Sequence, residues 1–158
     1  PMNWQAVIDN PLLRDLPFKI EQNRFGQIVM SPAGNRHGLL QVEVATYLKR
    51  RAGRVLVETS IETEDGVKVA DVAWASEAFI ERNGFETPYR EAPELCVEIV
   101  SPSDSQEEMD HKISLYLARG AREVWLCSES GEVRVFAGRG ETPDSELYGE
   151  KPSFEDLG

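Results

Sequence analysis

A mixed α/β (α+β) fold, with a central sheet flanked by helices and an N-terminal β-hairpin, is predicted by three observations. Short runs rich in Val, Ile and Phe are separated by turn signals at hairpin spacing. Two longer segments carry apolar residues at helical spacing, and the order along the chain is hairpin, helix, three strands, helix, two strands. No glycine-rich strand-to-helix turn is present, which removes dinucleotide-binding and P-loop folds.

The stretch FKIEQNRFGQIVMS, residues 18–31, predicts two short strands around a turn at Asn23 to Gly26, after which SPAG breaks the pattern. In RHGLLQVEVATYLKRRAG, Leu40, Val44, Tyr47, Leu48 and Arg51 share one helical stripe, and Gly53 stops it. RVLVETSI (54–61) and GVKVADVAWA (66–75) predict antiparallel neighbours joined across the Asp65-Gly66 turn. Residues 77–93, punctuated by Gly84, Pro88 and Pro93, predict a loop or short helical turn. A strand follows at 94–101, and Ser103 to Ser105 can cap a second helix whose stripe is Met109, Ile113, Tyr116 and Leu117, ending at Gly120. EVWLC (123–127) and EVRVF (132–136) are the last two strands; the polar tail from Glu141 predicts no element.

A chain of 158 residues with this apolar content fits one domain over residues 1–158, with no linker. No apolar run approaches the roughly 20 residues that span a bilayer, and PMNWQAVIDN lacks the pattern of an export signal, so a cytoplasmic location and no membrane partner are expected. Cys96 and Cys127 lie in apolar strands at no zinc or redox spacing, and read as free buried thiols. With two histidines and no cysteine cluster, a bound metal would need oxygen ligands, which points to Mg²⁺ or Mn²⁺. The net charge of −11 opposes nucleic-acid binding overall, yet residues 36–54 carry Arg36, Lys49, Arg50, Arg51 and Arg54 against Glu43 alone, a local +4.

The acids in apolar strands carry the chemistry. Glu98 stands in the middle of LCVEIV, and Asp71 is flanked by apolar residues in VKVADVAW. An ionised side chain buried there needs a salt bridge, a proton or a metal ion. Alternation puts Val67, Val69, Asp71 and Ala73 on one face of their strand, with Lys68, Ala70, Val72 and Trp74 on the other. Helical geometry sets Glu43 roughly 60° from Leu40 and Lys112 roughly 60° from Met109, each at the edge of its helix's buried stripe, where a side chain reaches over the sheet or turns out to solvent.

These residues resemble the PD-(D/E)XK nuclease superfamily: an acid in each of two neighbouring strands, a leading helix, and a lysine on the helix after the second acid. RFGQIVMSPAGNRHG, VADVAW, LCVEIVSPSDS and KISLYLARGAREVWLC are similar more closely to the restriction-endonuclease-like Uma-two family, over about residues 18–140. The resemblance implies a restriction-endonuclease-like core in which Asp71 and Glu98 bind Mg²⁺ or Mn²⁺ and Lys112 supplies the catalytic cation. The resemblance also offers Glu43 and His37 as outer metal ligand or phosphate contact, and the basic stretch offers Arg36, Arg50 and Arg51 as substrate contacts. Two departures stand out: Ala70 replaces the proline before the first acid, and Val100 replaces the lysine of E-x-K. The expected activity is metal-dependent cleavage of DNA by a homodimer. The rival expectation is an inactive nuclease-like scaffold that binds a partner.

Overall fold

The computed structural model of the protein describes residues 3–157. Two short helices, α1 (Trp4–Asp9) and α2 (Pro11–Arg14), lead into a separate antiparallel pair, β1 (Phe18–Gln22) and β2 (Ile28–Pro32). Helix α3 (Asn35–Leu48) precedes β3 (Arg54–Thr63) and β4 (Gly66–Ala75); α4 (Glu77–Asn83) then leads to β5 (Leu95–Val100). Helix α5 (Gln106–Ala118), β6 (Glu123–Ser128), β7 (Val133–Ala137) and β8 (Gly140–Thr142) complete the chain. Strands β3 to β8 form one sheet in sequence order, in which only β5 and β6 run parallel, joined by α5.

The two predicted stripes bury against opposite faces of this sheet. Leu40, Val44, Tyr47 and Leu48 of α3 pack with Val72, Trp74, Val97 and Trp125, while Met109, Ile113 and Tyr116 of α5 pack with Cys96, Val124 and Leu126. Ser105 caps α5 by accepting from the Glu108 N–H, with Glu107 and Glu108 in the first turn where the helix dipole favours acids. The chain leaves α3 through Gly53 at φ 136°, where a Cβ would lie 2.6 Å from the Ala75 carbonyl. Both cysteines are buried and free.

Two stretches for which the sequence predicts no element contribute to the core: Trp4 and Val7 pack under the hairpin against Val67 and Val69, and Leu147 and Phe154 enter the core beside α3. Two expectations need correction. Strict alternation along β4 fails, because Ala70 packs on the α5 side while Val72 and Trp74 face α3. The disturbance coincides with Glu58, opposite Asp71, whose φ of 50° kinks the neighbouring strand. The predicted stripe also ends before Arg51, which lies beyond α3.

That disturbance positions the site. Strands β4 and β5 pair only over Val72↔Val97, Ala73↔Cys96 and Trp74↔Leu95. Beyond Val72 they separate, and backbone N–H groups that a ladder would satisfy need other acceptors. Carboxylates fill that role: Asp71 Oδ2 accepts from Ile99 N–H at 2.7 Å, and Glu21 Oε2 accepts from Val69 N–H at 2.7 Å. On its other side Asp71 is held by Gln41, whose side-chain amide donates to the Asp71 carbonyl at 2.8 Å.

Candidate active site

The gap between β4 and β5 collects three buried acids and two lysines. Asp71 and Glu98 come from the two separating strands, Glu21 and Lys19 from β1, and Lys112 from α5. The Lys19 ammonium lies 2.8 Å from Glu98 Oε1 and 3.2 Å from Asp71 Oδ1. Lys112 Nζ is 2.7 Å from Glu21 Oε2 and 3.4 Å from Glu98 Oε1. Tyr116, one turn after Lys112, donates its hydroxyl to Glu98 Oε2 at 3.2 Å. His37 Nε2 in the first turn of α3 is 3.2 Å from Asp71 Oδ1. The group opens into a cleft of about 220 Å³ whose rim includes Ser31, Ser101, Ser103 and Asp104. A larger cavity of about 330 Å³ under Trp4 and Phe85 contains none of these groups.

Charge in the cluster is unevenly shared. Burial pushes the Glu98 carboxyl up to about 6, with Lys112 and Lys19 opposing it and Asp71 and Glu21 reinforcing it. Burial also works against the Asp71 carboxylate, but Lys19 and His37 outweigh it and hold that group at about 2. Glu21 is likewise lowered, because Lys112 and Lys19 overcome its desolvation. Three carboxylates face two ammonium groups and the His37 imidazole, and of the three acids Glu98 takes up a proton most readily. The hydrogen bond to Asp71 raises His37, against partial burial.

Among the described residues no three His, Cys, Asp or Glu side chains are arranged to hold a metal ion. Two carboxylates nonetheless converge on one cation. Asp71 Oδ2 and Glu98 Oε2 are engaged by Ile99 and Tyr116, and the other oxygen of each turns to the Lys19 ammonium. A pair of hard oxygen donors at the floor of an open cleft fits Mg²⁺, which is held by one or two carboxylates and completes its shell with water and phosphate oxygens.

The structure brings together Asp71, Glu98, Lys112 and His37 from the sequence-predicted set. It does not bring the others there. Glu43 faces the tail near Tyr47, Arg50 and Phe154. Arg36 donates to the carbonyls of Glu129 and Leu157, and Arg51 donates to the Leu147 carbonyl while stacking 4.8 Å over Trp74. Arg50 lies over the Tyr47 ring, beyond the end of α3 opposite to His37. Lys19, Glu21 and Tyr116 were not in the predicted set; the one signal for the first two is a charged pair on one face of β1.

The family model described as "Putative restriction endonuclease" matches residues 13–156. The chain belongs to the Uma2 family. No protein with a curated description matches the sequence. Among solved structures this Uma2 protein is similar to one from Anabaena variabilis, titled a "putative nuclease belonging to DUF820". The two are 21% identical over 79% of this chain and 78% of that one, with a TM-score of 0.64, a likeness of fold. No helix among the described residues is long and apolar enough to cross a membrane.

Proposed function

We propose that this chain is an endonuclease that hydrolyses phosphodiester bonds in DNA with the help of Mg²⁺ or Mn²⁺. The observation that carries the reading is that Asp71 and Glu98, from separating strands, direct one oxygen each at a single cation position on the floor of a cleft. Those two acids are the metal ligands. When bound, the ion would polarise a phosphate oxygen and offset the charge that develops during in-line displacement at phosphorus. The rest falls to side chains already in place. Ile99 N–H fixes the Asp71 carboxylate and Tyr116 fixes that of Glu98, so both present the same oxygen throughout. Lys112, anchored on Glu21, keeps its ammonium beside Glu98, where it can orient the attacking water or donate to a phosphate oxygen. The helix-borne lysine thereby does the work that Val100 cannot do from the strand. Cutting both strands of a duplex calls for two such sites, so the reading includes a homodimer, checked by light scattering.

One observation favours the alternative, an inactive scaffold: Lys19 and Lys112 already neutralise both acids. Calorimetric titration of Mn²⁺ into chelator-stripped protein, beside DNA cleavage assays, separates the two. The nuclease reading expects binding and metal-dependent cleavage in the parent, both lost in Asp71→Ala and Glu98→Ala. Cleavage that survives either substitution sinks the site assignment. No cleavage together with no binding at millimolar metal, with or without DNA, favours the scaffold.

A further inference from the structure

Lys19 has no task in the chemistry above, yet its ammonium lies within 4 Å of three buried acids. It reaches from β1 into the gap between β4 and β5, and its side chain is only 11% exposed. Its ammonium contacts Glu98 Oε1 and Asp71 Oδ1 and lies 3.9 Å from Glu21 Oε2. The first two are the oxygens that Ile99 and Tyr116 do not engage; His37 also approaches Asp71 Oδ1 at 3.2 Å and Lys112 approaches Glu98 Oε1 at 3.4 Å, but Lys19 alone contacts both. A divalent ion held by the same pair would stand where the ammonium stands, and two cations at contact distance in a buried site repel strongly. Lys112 is differently placed. Its shortest contact, 2.7 Å, is to Glu21, and it makes no ion pair with Asp71, so it can stay when an ion arrives.

We propose that Lys19 is an internal counter-cation that holds Asp71 and Glu98 together until a divalent ion displaces it, so that the N-terminal hairpin gates the metal site. The inference rests on the metal-binding reading above. Two features make the exchange feasible. β1 and β2 form their own two-stranded sheet, so movement there leaves the six-stranded ladder intact. Lys19 also lines an adjoining cleft that contains the exposed carboxylate of Glu58, which offers the displaced ammonium an acceptor on a flexible four-carbon stem. Without Lys19 the two acids face each other with less compensation, a state that waits for a metal; with it, the protein is satisfied empty.

The test is Mn²⁺ titration by calorimetry into the chelator-stripped full chain of the parent, Lys19→Met and Lys19→Gln. The expected result is an affinity roughly tenfold or more higher in both variants, within the about 5- to 150-fold usual for coupled equilibria. Adding Asp71→Ala to Lys19→Met should abolish the binding. In the parent, the Lys19 Cε signal followed by NMR should shift as Mg²⁺ saturates the site, a readout that survives if the variants fold poorly. Equal or weaker affinity in folded variants, or a Lys19 signal that stays still at saturation, overturns the gate and leaves the metal site standing. No binding in parent or variants at millimolar Mn²⁺ overturns the metal site itself, and the gate with it.

Discussion

Glu98 and Glu123 sit in the parallel pair of strands at the centre of the sheet, Glu98 opposite Leu126 and Glu123 opposite Leu95, and both are almost wholly buried, at 3% and 4% exposure. They solve the same problem in different ways. Glu123 accepts from three neutral donors fixed by the fold: the Trp125 indole at 2.9 Å, the Ser145 hydroxyl at 2.7 Å and the Leu147 N–H at 2.9 Å. Glu98 is held by the ammonium groups of two long side chains and by Tyr116, beside a second acid, at the wall of a cleft. Neutral donors from the backbone and the tail stitch the structure. Cations on flexible stems can be exchanged, and that difference separates a structural carboxylate from one available for chemistry.

The largest test of the contrast is Glu123→Ala. It strands three buried donors, so the expected loss is at least about 3 kcal/mol in denaturant unfolding, with the tail from Ser145 becoming sensitive to protease. Mn²⁺ binding should be unchanged wherever the variant is folded. A loss below about 1 kcal/mol would break the comparison. Glu98→Gln should move stability the other way. Burial raises this carboxyl from 4.5 to about 6, so the folded protein holds the proton more tightly than the unfolded chain does. The stability linked to that proton is fully present below about pH 4.5 and is lost as pH rises through about 6. Glutamine imitates the protonated acid. The variant should match the parent near pH 4.5 and exceed it at pH 8 by on the order of 2 kcal/mol, measured by thermal or urea unfolding at both pH values, while losing Mn²⁺ binding.

The same contrast explains which parts of the site could be read from the chain. Asp71 and Glu98 were legible because an acid inside an apolar strand violates a local rule, and Lys112 because it edges a clear helical stripe. Glu123 opens a strand beside a turn and raises no such alarm, although it is as deeply buried. Lys19 and Glu21 were not legible, since in a polar hairpin two charged residues on one face describe a solvated surface equally well. What buries them is the docking of β1 against the diverging end of β4, which depends on the kink at Glu58 and the packing of Trp4 and Val7 far away in sequence. The helices and strands follow local periodicity and were largely foreseen. The tail was missed because its anchors, Leu147 and Phe154, are isolated apolar residues with no period. The run from Lys49 to Arg54 misled for a related reason: charge in sequence says nothing about partners, and Arg51 is committed to Leu147 and Trp74.

Helix α3 carries the same lesson at smaller energies, because its two ends hold cations of different standing. His37 contacts the buried Asp71, and its hydrogen bond to that acid raises its proton affinity. The stability it contributes is therefore fully present below its ordinary value near 6.5 and fades as pH rises through its higher folded value. Arg50 pairs with Glu150 at 3.9 Å, with side chains 66% and 60% exposed. An exposed pair of that kind contributes at most about 0.5 kcal/mol and is screened by salt. Unfolding of His37→Gln and Arg50→Ala at pH 6 and pH 9 should consequently differ in form more than in size. The histidine variant should be destabilised by about 1 kcal/mol at pH 6 and much less at pH 9, whereas the arginine variant should stay within about 0.5 kcal/mol at both and lose that difference in high salt. A histidine effect with no pH dependence would mean that Asp71 draws nothing from the imidazolium charge. It would then leave Lys19 as the dominant cation holding that acid in the free protein.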